Sequence, residues 1–507
     1  MEAAQSIFYG FAVALTPQNL AFCFIGVLLG TLVGVLPGIG PAAAMSLLLP
    51  TTMRLDPTSS MIMLSGLYYG TMYGGSTTSI LVNIPGEAAS VITCLDGYQM
   101  ARKGRAGPAL GIAAFGSFFA GTLGVIGLML LAPTLAKFAL LFGAPEYFSL
   151  MVMSMTLVTY LSRGSLLKSL IAAALGLILG AVGLDTMTAK PRFTYDILVL
   201  RDGLGIVPVV MGLFGVSEVL LNVGMTIDRE IFQKKIQHLL PNRRDWKESS
   251  MPIVRGSLLG FFLGIIPGLG TIIPTFLSYG LEKRLSKEPE KFGSGKIEGV
   301  AGPEACNNAA ATGNFVPMLS LGIPANAIMA ILLGALTIYG LRPGPLLMTD
   351  NPALFWGLIA SMYVGNVMLL VLNLPLIPLW VQVLRVPYGI LYPIILLFCL
   401  IGSYSLNNAV GDVIIMSAFG VLGLLMRRFQ FEAAPLVLAL VLGPMIEDNL
   451  RQALIISGGS FAVFFTRPIS AAFLAVSLLA VLFPLLRLRP AVARLLASLK
   501  KENFYGG

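Results

Sequence analysis

The chain alternates between long apolar stretches and short polar loops along nearly its whole length. Stretches long enough to cross about 30 Å of hydrocarbon form two sets, separated by a polar segment at 225–250. The first set lies at 19–50, 57–92, 109–133, 146–162, 167–184 and 197–222. The second set lies at 252–280, 299–340, 355–380, 387–403, 409–426, 433–446 and 468–486. Several stretches are too long for one pass and contain Pro and Gly, which predicts interrupted helices or hairpins.

Composition assigns these stretches to a membrane rather than to a soluble core. Of the 507 residues, 56% are hydrophobic and only 11% are charged, against about a quarter charged in an average soluble domain. Because hydrocarbon requires all backbone groups to be paired within the chain, we expect an all-α polytopic membrane protein in contact with a lipid bilayer. The net charge of +9 is concentrated in short loops, so nucleic acid is not an expected partner.

The two sets of apolar stretches repeat one sequence pattern. The run GTLVGVLPGIG from Gly30 matches GFFLGIIPGLG from Gly260 at an offset of 230 residues. The Ile-Pro pair at 84–85 matches the pair at 323–324 at an offset of 239. Such self-similarity predicts two repeats of about 240 residues each. The predicted domains are a first transmembrane repeat at 1–224, a cytoplasmic basic linker at 225–250, and a second transmembrane repeat with a cytoplasmic tail at 251–507.

Basic residues occupy different loops in the two repeats. The loop at 283–296 is rich in Lys, yet its counterpart in the first repeat is the short loop at 54–56. The basic loop at 102–105 likewise aligns near the lone Arg342. Because cytoplasmic loops collect Lys and Arg, this pattern predicts that the second repeat is inverted relative to the first, with the C-terminus in the cytoplasm.

Inverted repeats with paired interrupted helices are typical of secondary transporters, whose site lies near the bilayer midplane. The runs PGIG at 37–40 and PGLG at 267–270 are the predicted breaks. The N-terminal ends of half-helices suit carboxylates, and unwound carbonyls suit a small cation. We therefore expect substrate contacts at Gly38, Gly40, Gly268 and Gly270. A different role, close helix packing, is expected for Gly30, Gly34, Gly260 and Gly264.

Two polar runs interrupt the apolar pattern, one at 69–87 and the other at 304–324. Each places hydroxyl and amide groups beside Gly and Pro, and such groups can surround a carboxylate or a desolvated cation. A hydroxyl in a membrane helix can instead bond back to the backbone. The predicted substrate-binding residues of these runs are Gly74, Gly75, Ser76, Thr77, Thr78, Asn83, Asn307, Asn308, Thr312 and Asn314. Asn307 and Asn314 are also candidate Na⁺ ligands, because their amide oxygens are neutral.

Three carboxylates, Glu87, Glu218 and Glu304, lie within or beside apolar stretches. Ionisable residues inside a membrane are functional candidates by default, although placement at headgroup level or at a helix N-terminus is the alternative. Glu304 is the candidate for proton coupling. We expect Na⁺ or H⁺ as the coupling cation.

The chain contains few side chains that could bind a metal ion or a cofactor. Its only histidine is His238, and its four cysteines lie far apart. We interpret them as buried thiols, and we expect no cofactor. The cysteines are Cys23, Cys94, Cys306 and Cys399.

Three motifs together resemble one transporter family. They are GVLPGIGP at 34–41, YGTMYGGSTTS at 69–79 and GVAGPEACNNAAA at 299–311, and they are similar to the large membrane subunit of the tripartite tricarboxylate transporters. Gly302 and Cys306 depart from the small residues, such as Ala, that we expect there. The resemblance implies a multi-pass permease of the bacterial inner membrane. It would work with a small membrane subunit and a periplasmic solute-binding protein that hands over an organic carboxylate, with uptake driven by a cation gradient.

Two alternatives to symport remain open from the residues. A passive anion channel would also have a polar path through the membrane. An intramembrane enzyme is suggested only by the run SLLK at 165–168, which imitates an acyl-enzyme motif without a partner motif; we expect no enzyme. The chain has no GxxxxGK[ST] loop for ATP. The polar motifs suit citrate, tartrate, simpler acids and aromatic carboxylates alike.

Overall fold

A computed structural model describes residues 3–36, 39–161, 165–222, 239–384 and 388–482. In these ranges the chain is mostly α-helical, with a π-helical segment at Met211–Val216, and its two short strands form one hairpin, in which β1 (Gly183–Leu184) pairs antiparallel with β2 (Pro191–Arg192). The all-α prediction is therefore confirmed. The helices of the first half are α1 (Ala3–Ala14), α2 (Pro17–Val35), α3 (Gly40–Thr52), α4 (Pro57–Val82), α5 (Val91–Arg102), α6 (Ala106–Ala139), α7 (Ala144–Leu161), α8 (Leu166–Gly180), α9 (Leu198–Arg201), α10 (Ile206–Val210) and α11 (Ser217–Asn222).

The second half is built in the same way from long helices joined by short turns. Its helices are α12 (Arg243–Gly264), α13 (Ile272–Leu285), α14 (Glu298–Gly313), α15 (Phe315–Leu321), α16 (Ala327–Ile338), α17 (Leu347–Asp350), α18 (Pro352–Asn373), α19 (Ile377–Val383), α20 (Tyr388–Asn407), α21 (Val410–Arg428), α22 (Ala433–Ile456), α23 (Val463–Thr466) and α24 (Pro468–Leu482). Six helices of the described ranges are long and apolar enough to cross a membrane, namely α2, α6, α18, α20, α21 and α22. The chain is therefore a multi-pass membrane protein.

Capping residues decide where several helices begin. Asp56 accepts hydrogen bonds from the backbone N–H groups of the first turn of α4. Asn242 and Asp245 form a capping box at the start of α12, which satisfies donors that a helix start otherwise leaves unpaired. As a result α12 begins at Arg243, inside the linker predicted for 225–250. Residues 225–238 of the predicted linker lie outside the described ranges.

The helices break near the two repeated Pro-Gly motifs, as the sequence predicts. In the first half α2 ends at Val35 and α3 begins at Gly40. In the second half α12 ends at Gly264 and α13 begins at Ile272. The equivalent residues Gly40 and Gly270 both have positive φ, +64° and +56°. This is a conformation that glycine adopts without steric cost.

Glycines bring α2 against α4 and α12 against α14. A Cβ atom at Gly30 would lie 2.4 Å from the carbonyl oxygen of Leu67, and one at Gly260 would lie 2.2 Å from that of Cys306. The two contacts are equivalent, because an offset of 230 residues relates Gly30 to Gly260 and an offset of 239 residues relates Leu67 to Cys306. The neighbouring glycines repeat it, with Gly26 against Met63, Gly34 against Thr71, Gly256 against Gly302 and Gly264 against Ala310. The predicted packing role of these glycines is confirmed.

The equivalent helices α4 and α14 contact each other with opposite chain directions. Near the start of α14, Glu304 contacts Ser76, which lies late in α4. Just past the end of α14, the Asn314 Nδ2 donates to the hydroxyl of Tyr68, earlier in α4, at 2.9 Å. The polar runs of the two halves therefore meet side by side in the middle of the molecule.

The charged loops at 102–105 and 283–296 lie against each other at one end of these helices. The Lys103 Nζ donates to the carbonyl oxygen of Ser294 at 2.5 Å. The Asp96 carboxylate accepts hydrogen bonds from three backbone N–H groups of the second loop, at Gly293, Gly295 and Lys296. Basic loops from non-equivalent positions of the two repeats thus share one end of the molecule.

Candidate functional site

A buried carboxylate lies where α4, α5 and α14 meet. The Glu304 side chain is 1% exposed and accepts hydrogen bonds from the hydroxyls of Ser76 and Thr93. Both donors belong to the first half, whereas Glu304 belongs to the second. Burying a carboxylate is costly unless hydrogen bonds compensate it, so this contact ties the two halves together around an ionisable group.

A second buried carboxylate, Glu87, is held in the complementary way. One of its oxygens accepts from the backbone N–H of Ala89 at 2.5 Å, which caps the 3-10 turn Ala88–Ser90. The other accepts from the Asn307 Nδ2 of the second half at 2.9 Å. Each half thus contributes one carboxylate to the cluster and the polar groups that hold the carboxylate of the other half.

Three amide oxygens of this region have no hydrogen-bond partner among the described residues. They are the Oδ1 atoms of Asn307, Asn308 and Asn314, all of which are buried. Their amide nitrogens do have partners, namely Glu87, Ser117 and Tyr68. A buried acceptor without a partner costs about 1–3 kcal/mol, and each of these three oxygens is free to accept from a donor or a cation.

A cavity of about 150 Å³ lies at the second-half break. Gly268, Gly270 and Asn326 line it, and the Gly268 N–H donates to Ala325 at 2.9 Å. The N-terminal ends of α13, α16 and α22 also reach this cavity. The partial positive charge of helix N-termini favours anions, although Glu432 lines the same cavity.

Some predicted binding residues take part in the packing of the helices. A Cβ at Gly74 would lie 2.3 Å from the carbonyl oxygen of Thr31, so Gly74 belongs to the contact between α2 and α4. Thr78 donates to the carbonyl oxygen of Val35, the last residue of α2. Gly75 faces Glu87, whose Cγ would be 3.0 Å from a Cβ at this position.

Two further predicted residues lie away from the central cluster. Asn83 is exposed and ends α4 in the left-handed conformation, with φ of 58°. Glu218 forms an ion pair with Arg427 and accepts from the Asn222 amide at 2.9 Å. Glu218 thus has a basic partner that is distant in sequence, and a functional role for this carboxylate stays a prediction.

The remaining predicted residues divide between cavities and undescribed positions. Thr77 lines a small cavity beside α6, and Thr312 lines a second one. Gly40 has open space around it. Gly38 lies outside the described ranges, as do Pro37 and His238.

Several polar residues of the cluster have no distinguishing pattern in the sequence. Thr93 and Ser117 lie in helices that contain no repeated break, and Asn366 lies in the apolar helix α18. Asn326 could have been found, because the offset of 239 residues makes it the counterpart of Glu87. A carboxylate at one break thus corresponds to an amide at the other.

A ring of ion pairs fastens the hairpin to α22. Arg192 and Arg451 each contact both Asp185 and Glu447, at distances of 2.5 to 2.9 Å. Hydrogen bonds from the Thr188 N–H and the Arg451 guanidinium hold the pKa of the Asp185 carboxyl well below its usual range. The ring borders a vestibule of about 710 Å³, which Arg201 and Arg342 also line.

The metal and thiol chemistry of the described ranges is limited. No group of three or more His, Cys, Asp or Glu side chains is arranged there to hold a metal ion. Cys23, Cys306 and Cys399 are buried, whereas Cys94 is half-buried, and all four thiols are free. The prediction of buried thiols is thus confirmed for three cysteines, and Cys94 is more accessible than expected.

Comparison with known proteins decides the family. The profile of the "Tripartite tricarboxylate transporter TctA family" matches residues 20–438. The chain belongs to this family. It is therefore the large membrane subunit of a tripartite tricarboxylate transporter, a component of a transport system and not a member of an enzyme family, and in bacteria such transporters lie in the inner membrane.

Two proteins of Agrobacterium vitis are similar to this TctA-family chain. One, called "Uncharacterized 52.8 kDa protein in TAR-I ttuC' 3'region", is 51% identical over 486 residues, which are 96% of this chain and 97% of that protein. The other, called "Uncharacterized protein in TAR-II ttuC' 3'region", is 52% identical over 227 residues, which are 45% of this chain and 94% of that protein. No solved structure matches this chain.

Proposed function

We propose that this TctA-family chain takes up an organic carboxylate, of the tricarboxylate or dicarboxylate class, by cation symport. The observation that carries the proposal is the exchange of contacts between the halves. Glu304 is held by Ser76 and Thr93, and Glu87 is held by Asn307. Carboxylates and free amide oxygens at the junction of two repeats are groups that bind and release cations as the halves move relative to each other.

The cavity at the second break is the proposed substrate site. Gly268, Gly270 and Asn326 line it, and three helix N-termini favour a carboxylate there. Because Glu432 lines the same cavity, we infer that an anionic substrate binds together with cations. Cations also offset the membrane potential, which opposes inward movement of an anion by about 2.3 kcal/mol per charge per 100 mV.

We further propose that the two repeats have inverted topology. The opposite directions of α4 and α14 support this arrangement. So does the contact between Lys103 and Ser294, which puts the two basic loops at one end. By the positive-inside rule that end is cytoplasmic, and the vestibule beside Arg342 opens toward the periplasm.

We propose two protein partners for this chain, because its family is that of a tripartite transporter. A periplasmic solute-binding protein would deliver the carboxylate to the vestibule, where Arg201 and Arg342 offer guanidinium groups. A small membrane subunit would complete the transporter. Much of the substrate selectivity would then belong to the binding protein.

Accumulation against a gradient tests this function. Proteoliposomes that contain both membrane subunits receive loaded binding protein outside and a defined concentration of the same carboxylate inside. Symport predicts that an inward cation gradient raises the internal concentration above the external one. A passive channel would only equalise the two concentrations, and an enzyme would change the chemical identity of the carboxylate without a gradient.

A further inference from the structure

A small cavity lies between α4, α6, α14 and α18, beside the carboxylate cluster. Its volume is about 10 Å³, the space that one water-sized sphere requires. Its polar walls are Tyr69, Tyr73, Asn308, Thr312 and Asn366. None of these side chains is charged, and both halves of the chain contribute to them.

The amide protons of Asn308 are used outside this cavity. Its Nδ2 donates to the Ser117 hydroxyl at 2.6 Å and to the Glu304 carbonyl oxygen at 3.1 Å. A flipped amide would set an oxygen against that carbonyl oxygen, so the Glu304 contact fixes the orientation. Asn308 is buried, with 3% of its surface exposed. Its Oδ1 has no partner among the described residues.

The other side chains also donate their protons elsewhere. The Thr312 hydroxyl donates to the Asn308 carbonyl oxygen, and the Tyr73 hydroxyl donates to Asn366 Oδ1 at 2.5 Å. The Asn366 Nδ2 donates to Phe118 and Thr122. The Tyr69 hydroxyl lies 4.0 Å from the Cys23 sulfur, whose own proton goes to the Ser361 carbonyl oxygen.

The walls therefore offer mostly oxygen lone pairs, and only the Tyr69 proton has no acceptor nearer than the Cys23 sulfur among the described residues. A cavity rich in acceptors attracts a cation, and neutral oxygens from hydroxyl and amide groups suit a hard monovalent ion. Glu304 lies four residues before Asn308, about 6 Å along α14, so its charge when ionised adds to the attraction.

We propose that this cavity binds a single dehydrated Na⁺ ion through the oxygens of Asn308, Thr312, Tyr73, Tyr69 and Asn366. The site deepens the proposed cation symport and rests on it for its role in transport. It differs from the pair predicted from the sequence, Asn307 and Asn314, whose amides are engaged two helical turns apart with Glu87 and Tyr68.

The neighbouring cavity provides a matched control. Ser76, Thr77, Ser117 and Asn373 line it on the other side of Tyr73. The Asn373 Oδ1 also lacks a partner, but this cavity contains the Thr77 hydroxyl, for which the described residues provide no acceptor. A donor and an acceptor together are satisfied by water, so Asn373 is a buried amide that we do not assign to Na⁺.

Binding of ²²Na⁺ to the purified full-length chain in detergent tests the proposal, with choline chloride holding the ionic strength constant. The wild type is expected to bind one Na⁺ per chain, in competition with unlabelled Na⁺. The near-isosteric change Thr312→Val should weaken binding about tenfold, and Asn308→Leu should abolish it. Asn373→Leu should bind as the wild type does. Size-exclusion profiles identify any variant that fails to fold, and Thr312→Val then carries the test.

The outcomes separate this site from the proposed symport. Wild-type affinity in both Thr312→Val and Asn308→Leu would overturn the site, as would the absence of saturable binding, because water alone would then fill the cavity. If uptake by proteoliposomes requires Na⁺ while both variants bind it normally, the symport stands and this site is refuted. If both variants lose bound Na⁺ but uptake is independent of Na⁺, the site stands and the sodium coupling fails.

Discussion

The Asn307 Nδ2 of the second half donates a 2.9 Å hydrogen bond to the carboxylate of Glu87 in the first half. The two residues are separated by 220 positions in sequence and both are buried. In the corresponding place on the other side of the cluster, Tyr68 contacts Asn326, and the offset of 239 residues relates Tyr68 to Asn307 and Glu87 to Asn326. The two contacts therefore join the same pair of equivalent positions, with the roles of the two halves exchanged.

Replacing Asn307 by Leu is expected to abolish carboxylate uptake while membrane expression stays near normal. The change removes the donor to Glu87, and loss of a partner for a buried polar group costs about 1–3 kcal/mol. Uptake by whole cells and the unfolding midpoint in detergent measure the two effects. Asn449→Leu is the control, because the hydrogen bond that the described residues provide for the Asn449 amide stays within α22. Wild-type uptake in Asn307→Leu would contradict a role for the exchanged contacts.

The helix contacts at glycine predict opposite effects for two alanine substitutions. Gly260→Ala sets a Cβ atom 2.2 Å from the Cys306 carbonyl oxygen, and such overpacking costs about 1–3 kcal/mol. Gly280→Ala in α13 has open space around it, and better helix propensity should stabilise it by up to about 1 kcal/mol. Thermal unfolding in detergent distinguishes them. Equal midpoints for the two variants would show that the α12–α14 contact is looser than described.

The packing role of these glycines could be predicted from the sequence, but their partners could not. Their repeated spacing predicts close packing, but the partners Leu67 and Cys306 belong to another helix and depend on the tertiary structure. The breaks at 37–40 and 267–270 are equally visible, since Pro and Gly disfavour a continuous helix. Local composition is thus sufficient to predict the helices and the places where they break.

The site is less predictable because its members come from both halves. Glu218 and Glu304 look alike in sequence, yet of the two only Glu218 has a basic partner within the described ranges, namely Arg427, more than 200 positions away. Asn366 lies in an apolar helix with no break nearby, and its place in the cluster follows from the packing of α18 on α6. Asn326 alone had a usable signal, its equivalence to Glu87.

The ion-pair ring predicts a hairpin that is insensitive to mild acid. Because the pKa of Asp185 is lowered in the folded protein, its stabilising contribution is present above the ordinary aspartate pKa and is lost only as the pH falls through the lowered value. Hydrogen exchange at 183–192 should therefore be similarly protected at pH 7 and pH 5, after correction for the intrinsic rate. Asp185→Asn should raise exchange at both values. A loss of protection in the wild type between these pH values would contradict the ring.

The proposed topology predicts which loops are reached from outside. Single cysteines at Lys283 and Arg342, both exposed, are introduced into a background with Cys94→Ser. In intact spheroplasts a membrane-impermeant maleimide should label the cysteine at position 342 and leave position 283 unlabelled until the membrane is opened. Labelling at 283 with none at 342 would refute the inverted arrangement.

Cation-coupled uptake is the central claim, and ion replacement in proteoliposomes tests it most directly. Vesicles with both membrane subunits, supplied with loaded binding protein, are given an inward Na⁺ gradient, the same gradient of K⁺, or a pH gradient. The account predicts carboxylate accumulation with Na⁺ and its loss when K⁺ replaces Na⁺. Uptake that is unchanged by the replacement and also indifferent to the pH gradient would contradict cation symport.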